Sequence, residues 1–233
     1  MAKIRNAKPK TSSGGYTRVF DNELLGDLIQ KVQSTVISNG TELEKMITKE
    51  SVLIENLDEF IDNVNDGKIE DGSYLCQKNT IKASEYKLNK HEPDIVIFKL
   101  DSGRKNCYII ELKDGDAFDT KKSDAELASL KLYKNHLGAK IPFVTNFFIC
   151  SFNQTDKNVI VEGFKKRFSE DEVMTGKELC ELLEIDYQKI IDKRKSDAPD
   201  NIEFFVDEIT KIPVIVAKIH NKATKHISDS DFY

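Results

Sequence analysis

With 233 residues, 39% of them hydrophobic, the chain is long enough to bury a sizeable core as one domain with additions. Its formal charge of −5 excludes a protein held to nucleic acid by bulk charge, so any DNA contact has to gather Lys and Arg locally. Cys76, Cys107, Cys150 and Cys180 show no CxxC spacing, which suggests neither a zinc site nor a disulfide framework, and no apolar run approaches the ~18 residues of a membrane span.

The N-terminal stretch MAKIRNAKPK lacks the apolar segment of a signal peptide, so the expected location is the cytoplasm, with no membrane partner. Residues 1–20 read as a flexible basic arm carrying Lys3, Arg5, Lys8, Lys10 and Arg18, followed by one domain over 21–233. Leu24, Leu25, Leu28, Ile29 and Val32 fall at helical spacing, and Val36 and Ile37 extend that face. Asn39-Gly40 can then stop this helix and Thr41 start another. Glu44, three residues after Thr41, completes a capping box there; alternatively it is an acid reaching toward the chemistry described below. Residues 51–65 again show helical spacing, and Asp66-Gly67 and Asp71-Gly72 mark turns. Ser73 to Lys90 reads as a connector whose Lys78, Lys82, Lys87 and Lys90 either line an approach to a site or are simply solvated.

The stretch EPDIVIFKLDSGRKNCYIIELK, Glu92 to Lys113, predicts an antiparallel hairpin of two apolar strands closing on Ser102 and Gly103. That closure sets Asp94 opposite Glu111. Opposed residues have Cβ atoms roughly 4.5–5.5 Å apart, close enough for two carboxylates to share one hard cation. Glu111 and Lys113 face the same way because side chains alternate along a strand, and Leu112 turns toward the core.

Beyond the hairpin, Ser123 and Glu126 form a second capping box that starts a helix with Leu127, Leu130, Tyr133 and Leu137 on its apolar face and Gly138 at its end. Lys121 and Lys122 precede it, at a helix N-terminus suited to a phosphate, and are the candidate DNA contacts. IPFVTNFFICSF, residues 141–152, predicts a buried strand returning to the same sheet, and residues 158–165 another that pairs with it or runs beyond it. Thr175 and Glu178 box the start of a further helix. Residues 193–201 read as a polar loop, and the run from Ile202 to His220 as one or two strands. The order of elements predicts an α/β fold: a mixed β-sheet flanked by helices, a core over about 40–165, and additional helical and C-terminal elements.

Two carboxylates and a lysine are suited to phosphodiester hydrolysis. A magnesium ion on Asp94 and Glu111, with the Leu112 carbonyl beside them, would neutralise charge and activate water, and Lys113 would stabilise the phosphate. As a bare motif it is matched by a plain surface hairpin in which Glu111 and Lys113 pair with each other. However, Pro93-Asp94 followed on the next strand by Glu111-Leu112-Lys113 resembles the PD-(D/E)XK signature of the restriction-endonuclease-like nuclease superfamily. The run IIELKDGDAFDTKKSDAE is similar to that of type II restriction endonucleases, and TGKELCELL has the same flavour.

This resemblance implies a restriction-endonuclease-like core, magnesium-dependent cleavage of double-stranded DNA leaving 5′-phosphates, and a homodimer. It also implies metal ligation by Asp94 and Glu111, with Lys113 as the catalytic lysine. The Gly40-x-x-x-Glu44 pattern resembles the family's glutamate on its first core helix, which leaves the cap and the ligand both open for Glu44. Two alternatives stand beside the site-specific endonuclease: a structure-specific junction resolvase or repair nuclease, and a non-catalytic DNA-binding protein.

Overall fold

A computed structural model describes residues 2–8, 14–115 and 120–230, with the side chains of 120–122 and 224–230 outside that description. Six strands lie side by side in chain order among these residues: β1 (Val52–Leu53), β2 (Gly72–Gln77), β3 (Ile95–Asp101), β4 (Arg104–Lys113), β5 (Val144–Ser151) and β6 (Val173–Thr175). β1 runs parallel to β2, β2 and β3 are antiparallel, and β4, β5 and β6 are parallel neighbours, so the sheet is mixed.

β3 and β4 form the predicted hairpin in the predicted register, with Ile95 opposite Ile110 and Asp101 opposite Arg104. Its two-residue turn puts both Ser102 (φ 49°) and Gly103 (φ 84°) in the left-handed region, the geometry whose twist matches paired strands. Both faces of this hairpin are buried. Val96 and Phe98 on β3, with Cys107 and Ile109 on β4, pack with Leu57, Phe60, Ile61 and Val64 of α3 (Leu57–Asn65) and with Leu130, Tyr133 and Leu137 of α5 (Thr120–Gly138). On the opposite face Ile97, Ile110 and Leu112 are buried, and α7 (Gly176–Leu183) lies against β2, β5 and β6. The predicted crossover from β4 through α5 to β5 and the Thr175/Glu178 capping box are both present.

Contacts divide the chain into two units, residues 1–42 with 191–233 and residues 43–190; the sheet lies in the second. The first contains α1 (Gly14–Phe20), most of α2 (Glu23–Glu50), α9 (Ala198–Thr210) and α10 (Pro213–Ser230). Within it, residues expected to form a flexible arm are tied to α9. Ile4 donates its backbone N–H to Asn201 Oδ1 at 2.8 Å, Arg5 reaches Asp200 at 2.7 Å, and the Phe204 ring lies 5.5 Å from the guanidinium of Arg5.

Several predicted elements are corrected. Asn39-Gly40 does not end a helix, because α2 continues through it. An interior Gly is unfavourable by about 1 kcal/mol, which burial of Leu43 and Ile47 beyond it outweighs. Thr41 is therefore no cap. α5 likewise begins upstream of Ser123, so that box is absent too. Residues 51–65 hold β1 as well as α3, whose cap is Asn56, and the connector 73–90 contains β2 and α4 (Lys78–Ala83). Residues 158–165 are not a strand but lie largely in α6 (Lys157–Gly163), capped by Asp156. The loop 193–201 and the strands after it are α8 (Tyr187–Lys195), α9 and α10. Alternating β-branched residues suggested strands there, but the single deeply buried apolar side chain of this stretch, Ile212, sits at the junction of two helices. No helix among the described residues is long and apolar enough to cross a membrane.

Gly176 opens α7 against the end of β5, where a Cβ would overlap the carbonyl oxygen of Phe152. Gly176→Ala should thus lose about 1–3 kcal/mol of stability through overpacking, read as a lower urea midpoint at unchanged slope. A wild-type midpoint would refute the tight packing of α7 on β5.

Candidate active site

The row of opposed pairs on the α5 face of the hairpin turns from apolar to acidic at its open end. Phe98 faces Cys107 and Val96 faces Ile109 in the core; the paired register ends at Ile95 and Ile110, and Asp94 just before it bonds the Leu112 backbone and acts by its charge on Glu111. Asp94 is fixed from two sides. The Leu112 backbone N–H donates to its Oδ2 at 3.0 Å and Lys78 Nζ to its Oδ1 at 3.2 Å, while its own carbonyl accepts from the Lys78 backbone at 3.2 Å. One residue along from Leu112, Lys113 Nζ donates to Glu111 Oε1 at 3.0 Å and to Glu126 Oε1 at 2.7 Å.

Burial, and then the charge of Asp94, push the Glu111 carboxyl above its ordinary range, although Lys113 and Lys78 oppose this. Glu44, on the C-terminal part of α2, is exposed as a residue, yet partial desolvation followed by Asp94 also raises its carboxyl. For Lys113, burial alone would lower the pKa; the carboxylates of Glu111 and Glu126 outweigh it and hold the ammonium above the ordinary lysine value. A cleft of about 400 Å³ opens here, lined by Lys78, Lys90, Glu92, Glu111 and Glu126 among others.

The three residues expected to carry the chemistry are thus brought together, and Glu44 lies close enough to feel Asp94. Of the four lysines on the connector, Lys78 and Lys90 line the cleft and Lys82 and Lys87 do not. Lys121 and Lys122 fall in the first turn of α5, with their side chains outside the described residues. Glu126, expected as a cap, lies inside α5 and accepts from Lys113 instead. Its position was legible all the same, since Glu126, Leu130, Tyr133 and Leu137 share one helical stripe and the last three pack on the sheet.

Among the described residues no three His, Cys, Asp or Glu side chains are grouped to hold a metal ion. The donor set nevertheless fits magnesium, which takes one or two carboxylates and keeps several waters. Asp94 and Glu111 are partly buried like charges; burial first and the charge of Asp94 second raise the Glu111 carboxyl, and a cation held between them would oppose both.

A mixed sheet with helices on both faces and an acid–lysine patch at the end of its central hairpin defines an α/β protein of restriction-endonuclease-like architecture. Over 231 residues, 97% of this chain and 100% of the relative, the sequence is 48% identical to the type II restriction enzyme HhaII of Haemophilus parahaemolyticus. The chain belongs to the type II restriction enzymes, which are site-specific deoxyribonucleases. No family model matches it. A solved structure, AvrA delL154 with IP6 and CoA, aligns with 75% of this chain and 74% of that one at 12% identity and a TM-score of 0.27, too low to carry an argument.

Proposed function

We propose that this chain is a magnesium-dependent endonuclease of the PD-(D/E)XK superfamily that cuts double-stranded DNA at a short palindromic sequence, leaves 5′-phosphates, and serves restriction–modification defence in the cytoplasm. The observation that carries this reading is the convergence of Asp94, Glu111 and Lys113 at one end of the β3–β4 hairpin. Asp94 and Glu111 would hold the cation, with the Leu112 carbonyl beside them and Glu44 as a further ligand. When bound there, magnesium supplies charge neutralisation and a more acidic water.

The remaining work falls to the protein's own groups. Lys113 keeps its proton because two carboxylates face it, so it meets a phosphate as a cation and can hydrogen-bond an oxygen on which charge develops. Lys78 and Lys90 add positive charge along the cleft, where the DNA backbone would run. Lys121 and Lys122 would meet an adjoining phosphate at the start of α5.

A homodimer is part of this reading. One Asp94/Glu111/Lys113 set attacks one strand and the sequence has no internal repeat, so cutting both strands in one encounter needs a second copy. Supporting it, Ile202 and Val206 on α9 and Val214, Val216 and Ile219 on α10 are exposed apolar side chains suited to helix packing between copies. With magnesium and a long duplex, the wild-type protein should give discrete fragments. Adding excess Glu111→Ala chains should give mixed dimers that nick supercoiled DNA without linearising it. Fragments of no fixed length would refute site specificity, and a mixture yielding only linear and uncut DNA would refute the dimer.

A further inference from the structure

A lysine ammonium has three N–H donors, and in Lys113 two of them are taken from different directions: Glu111 on its own strand at 3.0 Å and Glu126 on α5 at 2.7 Å. Two anchors hold the ammonium in place beside the cleft, which Glu111 and Glu126 both line. The anchors are not equivalent. Glu111 is a proposed cation ligand and feels the charge of Asp94, whereas Glu126 comes from the helix α5.

We infer that Glu126 is a positioning residue: it holds the Lys113 ammonium from α5, so that Glu111 is free to turn its carboxylate to a divalent ion. This rests on the proposed metal role of Asp94 and Glu111. Without Glu126, the remaining hydrogen-bond partner of the ammonium is the carboxylate the ion needs, and lysine and metal compete for it. With Glu126 in place, the lysine stays beside the reacting phosphate while the metal ligand is released to its task.

The competition is measurable without catalysis, by titrating DNA-free protein with Mn²⁺ and following the loss of the free-ion electron paramagnetic resonance signal. Glu126→Ala should weaken Mn²⁺ binding by about tenfold, the scale on which groups that orient metal ligands act. Glu126→Gln keeps an acceptor of the same size and should recover part of that loss, and it also serves if the alanine variant folds poorly. The decisive comparison is in a Lys113→Ala background. There nothing competes for Glu111, so either Glu126 change should leave Mn²⁺ affinity unaltered. Equal weakening with and without Lys113 would mean that Glu126 acts through its own charge alone and would overturn the inference, as would no weakening at all. Wild-type Mn²⁺ affinity in Glu111→Ala would overturn the metal reading beneath it, an outcome distinct from the other two.

Discussion

Glu111→Ala is expected to lose cleavage by on the order of 10³-fold or more, about 4 kcal/mol of transition-state stabilisation, and Asp94→Ala to do the same. DNA binding measured in calcium should change far less, since neither carboxylate attracts a phosphate. The two variants should differ in stability. Asp94 accepts from the Leu112 backbone and from Lys78, so its removal leaves a partly buried N–H without its acceptor, a loss of about 1–3 kcal/mol. Glu111 is the opposite case. Its carboxyl is held above the ordinary range, so the folded state binds that proton more tightly than the unfolded chain does. Stability from the group is therefore present at low pH and lost as pH rises through the raised value, and at neutral pH its ionised form is a burden. Glu111→Gln, which removes the charge and keeps the shape and an acceptor for Lys113, should thus melt at or above the wild-type temperature at neutral pH while being inactive. Cutting at wild-type rates in either variant would refute the metal site.

The hairpin was legible because its information is local. Two apolar runs and the turn DSGRK fix the register, and the register fixes which carboxylates meet. The α5 crossover was legible for a similar reason: a buried stripe of Leu130, Tyr133 and Leu137 ending at Gly138 and followed by an apolar strand leaves few alternatives. Capping boxes were less informative. Thr175 and Glu178 do open a helix, whereas Thr41/Glu44 and Ser123/Glu126 have the same spacing inside longer helices. A Ser or Thr three residues before Glu can mark a helix start only if the residues before it are not helical, and that depends on packing elsewhere in the chain. Glu126, expected only as a cap, instead binds Lys113, and Glu44, for which cap and ligand both stood open, lies within reach of the charge of Asp94. α6, α9 and α10 were misread because runs such as NVIVEG and IEFFV suit a strand locally, and only tertiary packing decides against it. Lys78 was legible only as one of four lysines that could line the approach; its bond to Asp94 was not, since it is made from a short helix behind an unrecognised strand.

Continuity of α2 through Thr41 turns Glu44 into a sharp test. No helix begins there for Glu44 to cap, and its carboxyl is raised by desolvation and by Asp94, so its ionised form is unfavourable to folding at neutral pH. The sign is that of Glu111: stability tied to this proton is present below the ordinary carboxylate range and lost as pH rises through the raised value. Glu44→Gln removes the charge and retains the shape, so the variant should melt at or above the wild-type temperature at pH 7, and the difference should vanish as the pH falls and the carboxyl becomes protonated. Activity should move the other way. If the carboxylate completes the cation site with Asp94 and Glu111, its loss should slow single-turnover cleavage by about 10²-fold at fixed magnesium, and higher magnesium should recover part of the rate. Unchanged cleavage together with raised stability would make Glu44 a charge that crowds Asp94 without serving the metal. Reduced stability would contradict the raised carboxyl and with it the placement of Glu44 beside Asp94.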